Sequence, residues 1–519
     1  MNYDFLSRGQ FIIALNFLLL PILIGPWFEN FFRGPKWVLL YFSSLFLIPF
    51  IKSVPKVKIS KSFLVLFLLV MIYHREAPLS PFLLDLFCFI TITLAVYGIA
   101  KRSPDLFLKQ VLKFNIPATI LVLSVSYLQL FQIPLPSWFA LFPVGNFTSF
   151  FGNTIFTGEF LASSILLLLY GWESSGKKLN LVLIFLSLTL IYFLFSRMVI
   201  IGIVLAYFIP RWGKKLPLKM LIPLFLILGA LTIGGIRSPL FSKGILKSKA
   251  SSFDQRWALV LNSLSMIKDR PFFGIGPLRF PTSYIPYRNA KVHDPFVKEH
   301  RWRDDPHSTP IRLMVEFGVP FALICLFLWF KMIWRKWEVD PLNRFLLGIL
   351  IFYSVDLLFG FPWMLPYPFF FCAVCLGIGL SKKEVITLKN PLRNFALVCS
   401  FLLLGFRSLS YSFSRFAIKN YSSDFSKMGQ ACKLTPYIWE NCYQRVKKAY
   451  RYGKYNEVIE ISRKMEALYP GHHTFIKSSA LALVKTRKLQ KACQQMRNYE
   501  NIVGSPNSLE NLKRNYCKN

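Results

Sequence analysis

Apolar runs of membrane length recur along this chain, and they leave few folds open to it. The runs are solidly apolar over roughly 15–20 residues, whereas a membrane barrel would need short alternating strands. The chain is 54% hydrophobic and 17% aromatic over 519 residues, with a mean hydropathy of +0.44. No soluble domain needs so much apolar surface. The expected fold class is therefore all-α, a polytopic membrane protein with about 12–13 transmembrane helices. Spans are expected at 10–28, 36–51, 62–74, 82–100, 114–132, 157–171, 179–195, 197–210, 218–236, 312–334, 344–360, 364–380 and 394–409. The first run is too long for the apolar region of a cleavable signal and lacks a small-residue cleavage site, so it reads as an anchor.

A net charge of +37 raises the question of nucleic acid, and the distribution of that charge answers it. Basic residues follow the even-numbered spans: Lys52, Lys56, Lys58 and Lys61; Lys101, Arg102, Lys109 and Lys113; Arg211, Lys214, Lys215 and Lys219; Lys382, Lys383, Lys389 and Arg393. The odd-numbered short connections are nearly empty, and residues 133–156 hold no Lys or Arg. This is the positive-inside pattern with a cytoplasmic N-terminus, not a nucleic-acid surface. Long loops are exempt from that rule. Parity places the long polar stretch 237–311 outside, after span 9, and the tail 410–519 outside, after span 13.

The expected organisation is N-terminal transmembrane helices (1–236), an external catalytic loop (237–311), C-terminal transmembrane helices (312–409) and a soluble helical tail (410–519). In the tail, Leu434-Thr435-Pro436 aligns with Leu468-Tyr469-Pro470, Tyr455 with Leu489 and Val458 with Ala492, each 34 residues on. That period resembles a tetratricopeptide unit. A docking surface for an acceptor or partner and a stabilising appendage are both open readings of the tail. Cys432, Cys442, Cys493 and Cys517 all lie there, so one or two disulfides are expected if the compartment oxidises. Cys372 and Cys375 are spaced like a metal or redox motif, but inside an apolar run they read as small hydrophobes.

The loop carries thirteen Lys/Arg against six Asp/Glu, which suggests an anionic ligand. It ends in Asp304-Asp305-Pro306-His307, just before Phe317-Gly318-Val319-Pro320. No zinc motif, Walker loop, dinucleotide fingerprint or Ser-based nucleophile elbow is present. Gly274-Ile275-Gly276 reads as a tight turn with close backbone approach. Arg197, between two apolar runs, needs an anionic partner or a water-filled cavity, unless it snorkels to the interface. Arg256 begins an amphipathic stretch suited to a membrane surface. Paired with Arg197, it could grip a pyrophosphate in the bidentate fashion of guanidinium groups. His307 is either part of a helix cap or a general base that orients an acceptor hydroxyl. Spacing alone leaves both readings open.

These residues together resemble a family. The order is Phe151-Gly152-Asn153, Ser196-Arg197, Arg256-Trp257, Met266-Ile267, then Asp269-Arg270-Pro271-Phe272-Phe273-Gly274-Ile275-Gly276. Asp305-Pro306-His307-Ser308 and Glu316-Phe317-Gly318-Val319-Pro320 follow. The pattern resembles the O-antigen ligase/polymerase superfamily of bacterial membrane glycosyltransferases, which includes protein O-oligosaccharyltransferases. It covers about 150–335; the other spans agree by topology only, and the tail not at all. The family usually has Asn after the His, where this chain has Ser308, which keeps a hydrogen-bonding group and loses the amide.

The resemblance implies transfer of a glycan from undecaprenyl pyrophosphate to an acceptor hydroxyl at the periplasmic face of the bacterial inner membrane. It implies no metal, nucleotide or other cofactor. Carried over, Arg197 and Arg256 form the pyrophosphate clamp, Arg279 makes a weaker third contact, and His307 activates the acceptor. The step is expected to be a single inverting displacement. The acceptor is expected to be the lipid A core; a growing glycan (polymerase) and protein Ser/Thr (oligosaccharyltransferase) are the alternatives. The contacts with lipid are those of any multi-pass protein. A transporter is a further reading, but its acid relay would rest on Asp356, with Asp85 and Glu159 near span ends, which is thin.

Overall fold

A computed structural model of the protein describes residues 3–24, 34–51, 53–55, 61–74, 79–101, 103–133, 149–151, 153–194, 197–212, 247–277, 279–284, 287, 306–333, 340–360, 365–381, 385–387, 409, 425–434, 439–468, 473–503, 513–514 and 516–517. The expected spans 218–236 and 394–409, apart from Leu409, lie outside the described residues, as do Asp304 and Asp305.

The described architecture is helical apart from one antiparallel ribbon, Ser53–Pro55 against Val385–Thr387. The first half contains α1 (Tyr3–Ile22), α2 (Gly34–Leu47), α3 (Lys61–Tyr73), α4 (Leu79–Ala100), α5 (Pro104–Leu130), α6 (Thr154–Ser175), α7 (Lys178–Phe193) and α8 (Arg197–Trp212). The second contains α9 (Lys247–Asp269), α10 (Phe280–Ser283), α11 (Thr309–Phe317), α12 (Val319–Ile333), α13 (Pro341–Phe359) and α14 (Pro366–Leu380). Among the described residues, three helices are long and apolar enough to cross a membrane: Pro104–Leu130, Thr154–Ser175 and Pro341–Leu358. Seven shorter apolar helices accompany them among the described residues. The chain is a multi-pass membrane protein.

Local sequence sets the ends of the long helices. Ser103 caps α5 by accepting from the Leu106 amide, with Pro104 at the first helical position. Asn153 caps α6 through the Ile155 amide at 2.8 Å, and Gly176 closes it at φ +66°. Asp340 caps α13 through the Asn343 amide at 2.7 Å. α6 is the central helix: its apolar stretch is 83% buried, against 50% for α5 and 56% for α13. Around it the core is aromatic, with Tyr367 edge-on to Phe160 at 4.9 Å and to Phe17 at 6.2 Å. Asn115 Oδ1 accepts from Tyr367 at 3.3 Å and from Ser164 at 3.4 Å. Such interhelical hydrogen bonds join helices where hydrophobic drive between them is weak.

Contacts between helix ends fall into two sets that alternate along the chain, as up-and-down order requires. At one end, Lys36 bonds the carbonyls of Pro21 and Phe150, Phe82 packs on Phe317, and Thr309 bonds the Gly360 carbonyl. Ser149 donates its amide to Gln129 at that end too. At the other, Glu173 pairs with both Arg211 and Arg344, Tyr170 bonds Asp105, and the 53–55/385–387 ribbon forms. The first is called the loop end below, because residues 270–277 and 306–318 gather there.

One expected span is divided. The run 312–334 is two helices, α11 and α12, separated at Gly318, whose φ is +88°. A helix cannot pass through a residue in that conformation, so α11 belongs to the loop and only α12 continues the apolar run.

The tail packs as a helical repeat: α15 (Phe425–Leu434), α16 (Trp439–Arg451), α17 (Tyr455–Leu468), α18 (His473–Lys485) and α19 (Leu489–Val503). α16 and α18 begin 34 residues apart, and so do α17 and α19. The turn residues with positive φ, Gly453 at 71° and Arg487 at 58°, keep the same spacing. Val458 and Ala492 are both fully buried. Disulfides join Cys432 to Cys442 and Cys493 to Cys517. Cys88, Cys325, Cys372 and Cys375 are free.

Candidate functional site

The loop folds on a small core of its own. Leu259 and Met266 of α9 meet Ile275, Phe280, Tyr284 and Val315, all nearly solvent-free. Asn262 donates to the Tyr284 hydroxyl at 2.9 Å inside that core. The amphipathic pattern that begins at Arg256 thus buries its apolar face against the 270–284 segment and α11.

Two glycine-bearing segments are locked together by their backbones. The Ile275 amide donates to Val315 at 2.8 Å, Gly276 to Glu316 at 2.9 Å, and Val319 to Pro271 at 2.7 Å. Neither Gly274 nor Gly318 tolerates a side chain. Gly274 has φ +70°, and a Cβ there would stand 2.5 Å from the Val315 oxygen and 2.7 Å from that of Glu316. Gly318, at φ +88°, would drive a Cβ into Phe272 and to 2.8 Å from the Phe273 nitrogen. The two short motifs are therefore halves of one structure. An ion pair supports it, since Arg312 meets the buried Glu316 at 3.1 Å through both Nε and an Nη.

The lock is anchored to the bundle on two sides. His74, just past α3, bonds the Phe273 carbonyl through Nε2 at 2.8 Å, and Tyr73 stacks on the Phe273 ring at 4.7 Å. On the other side, Thr309 Oγ1 donates to the Gly360 carbonyl at 3.1 Å, where α13 ends. One turn back on α13 lies Asp356, buried, with Oδ2 lacking a hydrogen bond among the described residues. A Cβ on Gly360 would sit 2.8 Å from Asp356 Oδ1, so this glycine makes room for the carboxylate.

Of the four residues expected to form the site, His307 is the most distinctive. It is half-buried and left-handed, with φ +54°, a conformation that is strained for a residue bearing a side chain. Ser308 takes the N-cap position of α11 but makes no side-chain cap hydrogen bond. Arg279, half-buried, precedes α10 and donates its amide to Gly276 at 3.3 Å. Arg197 is the first residue of α8, and Arg256 lies within α9; the side chains of both lie outside the described part. The carrying elements form a packed row, with α8 against α13, α13 against α11, and α11 against α9.

Several residues escaped the sequence reading. His74 and Arg312 carried no motif of their own. Asp356 was visible only as an isolated intramembrane acid, with nothing to say that its helix ends at Thr309. Lys36 belonged to no motif.

Residues 181–326 match the family model described as O-Antigen ligase. No curated protein matches the chain. The matched stretch runs from within α7 into α12 and so takes in Arg197, the whole loop and the backbone lock. Over this part of its length, the chain carries an O-antigen-ligase-like domain.

Proposed function

We propose that this protein is a lipid-linked glycan transferase of the O-antigen ligase type. In this reading it moves a glycan from undecaprenyl pyrophosphate to an acceptor hydroxyl on the lipid A core, at the periplasmic face of the bacterial inner membrane. The observation that carries the reading is the coincidence of the family match with one packed row of elements, of which α8 carries Arg197 and α9 carries Arg256, while His307 lies just before α11 and Arg279 just before α10, which packs on α11. Glycan transfer needs no nucleophile from the protein when pyrophosphate leaves. The acceptor oxygen bonds to the anomeric carbon while the bond from that carbon to the phosphate oxygen breaks. Its electron pair goes to the pyrophosphate, and the hydroxyl proton goes to His307. Arg197 and Arg256 balance the leaving charge, with Arg279 in support. The configuration at the anomeric carbon inverts. The catalytic unit runs from 237 through Phe317, because α11 is part of the loop.

The two tail disulfides support an oxidising compartment for 410–519. That agrees with the parity of the charge pattern and with a loop that faces the periplasm. The 34-residue helical repeat favours an acceptor-docking role, which keeps protein O-oligosaccharyltransferase as the second reading; polymerase activity is the third. The test is deletion of the gene, with surface polysaccharide on gels beside a glycoprotein stain. Loss of long-chain lipopolysaccharide alone supports ligase, and collapse to one repeat unit supports polymerase. Loss of glycoprotein signal alone supports oligosaccharyltransferase. No change in any of these opposes the reading.

A further inference from the structure

The loop helix α9 carries apolar side chains on two sides, and only one side is used inside the protein. Leu259, Asn262, Ser263 and Met266 mark the buried side, which closes the loop core. On the other side Leu264 is 50% exposed, and Phe272, in the turn that follows, is 69% exposed. That turn prolongs the helical path. The Arg270 amide donates to the Met266 carbonyl at 3.2 Å, and the Gly274 amide to the Arg270 carbonyl at 3.1 Å. Leu264, Lys268 and Phe272 therefore follow one another along a single ridge, with the half-buried Leu261 at its start. Lys268 and Arg270 are exposed beside the apolar groups. Single apolar residues at a surface need no partner, but large ones aligned and flanked by cations mark an interaction surface.

The place of the ridge in the fold says what covers it. Phe273, next to Phe272, stacks on Tyr73 at 4.7 Å, so the ridge meets the bundle at the end of α3. That helix exposes Leu68, Leu69, Ile72 and Tyr73, and in a multi-pass protein such an apolar face is turned to lipid. The ridge continues this face past the helix end, to the depth at which headgroups begin. Leucine and phenylalanine beside lysine and arginine is also the composition of segments that lie in that interface. A partner protein would cover the ridge alone, whereas a bilayer covers the ridge and α3 as one surface.

We propose that Leu261, Leu264, Lys268 and Phe272 form a membrane-docking ridge that seats the loop on the bilayer. Leu264 and Phe272 enter the upper acyl region, and Lys268 and Arg270 meet the lipid phosphates. The proposal goes beyond the glycan-transfer reading and stands without it. Within that reading, the ridge holds the cations of the loop at the plane where a lipid-borne pyrophosphate stands.

The experiment uses the full chain in phosphatidylethanolamine–phosphatidylglycerol nanodiscs. Spin labels are attached to Leu264→Cys, Phe272→Cys and, as an exposed tail control, Lys447→Cys, with wild type carried through the same labelling as background. Relaxation by oxygen, which concentrates in lipid, is compared with relaxation by a water-soluble nickel chelate. The expected result is that oxygen outweighs the chelate at 264 and 272 and that the order reverses at 447. Chelate access at 264 and 272 equal to that at 447 overturns the proposal. Labels at 264 and 272 that are immobile and shielded from both reagents also overturn it, because a protein surface then covers the ridge. If a variant does not fold, wild type decides through a phospholipid carrying a photoactivatable group near its headgroup. Crosslinks within 261–273 support the ridge, and crosslinks in α3 with none in 261–273 overturn it.

Discussion

Replacing Gly274 with alanine should open the lock that holds the loop to the bundle. The new Cβ would stand 2.5 to 2.7 Å from three atoms of the Val315–Glu316 backbone. These are main-chain atoms, so no side-chain rotation relieves the clash. The left-handed backbone at φ +70° adds about 1 kcal/mol for any residue but glycine. Separating the segments also breaks the bonds from Ile275 to Val315 and from Gly276 to Glu316, at about 0.5–1.5 kcal/mol each. The local cost is then about 2–4 kcal/mol, small enough to leave the helices folded. Hydrogen exchange should report it as a loss of protection at Ile275, Gly276 and Val319 of roughly thirty- to several-hundredfold. Amides of the tail, such as Val458, should be unaffected. Transfer should fall as well, because Arg279 and His307 sit on opposite sides of the lock. Gly379→Ala is the control, since nothing lies within 4 Å of its Cβ position. Unchanged exchange at those three amides in Gly274→Ala would refute the argument.

Further outcomes follow from the same contacts. Arg312→Ala leaves Glu316 buried without its partner and should cost the loop about 3–5 kcal/mol of local stability. Adding Glu316→Gln should restore much of it, and a double-mutant cycle by hydrogen exchange measures the coupling. Arg256→Lys keeps the charge but not the bidentate grip, so transfer should drop about tenfold or more with unaltered thermal stability; full activity would remove Arg256 from the clamp. Reduction of the intact protein should release the four tail thiols Cys432, Cys442, Cys493 and Cys517, detected as alkylation mass shifts seen only after reductant. The tail should then melt earlier, with each bridge worth about 2–4 kcal/mol. Burial pushes the Glu466 carboxyl up from its ordinary range, against a hydrogen bond from Gln495. Its stabilising contribution is therefore complete below the ordinary glutamate range, about pH 4, and is lost as pH rises through the raised value. Glu466→Gln should flatten that part of the tail's stability profile, followed by circular dichroism against pH.

The helical membrane class was legible because its signal is local: each apolar run states its own case. The tail repeat was legible for the same reason, since Tyr455 and Leu489 mark helix starts that the structure places 34 residues apart. What stayed hidden was long-range. Gly274 read as part of a tight turn and Gly318 as part of an apolar run, and nothing in either motif says that their backbones meet across the intervening loop. Hydropathy is blind to the sign of φ, so the run 312–334 read as one helix although Gly318-Val319-Pro320 held the breaking signal. Four tail cysteines allow more than one pairing, and only the packing of α15 on α16 and of the C-terminal segment on α19 selects between them. Lys36 was invisible because a lysine at a span edge ordinarily snorkels, and burial depends on Phe150, far away in sequence. Asp356 was visible as an acid but not as a neighbour of the loop.

The most direct test of the central claim is transfer by the purified protein in liposomes. The assay supplies undecaprenyl-pyrophosphate-linked glycan and lipid A core acceptor, with chelator present, and follows release of undecaprenyl pyrophosphate beside the lengthened acceptor. The account predicts both products in equal amounts, with inverted configuration at the new bond. It also predicts losses of about a hundredfold or more in Arg197→Ala and in His307→Ala. Full transfer by both variants, or a trapped covalent glycosyl-protein intermediate, would contradict it.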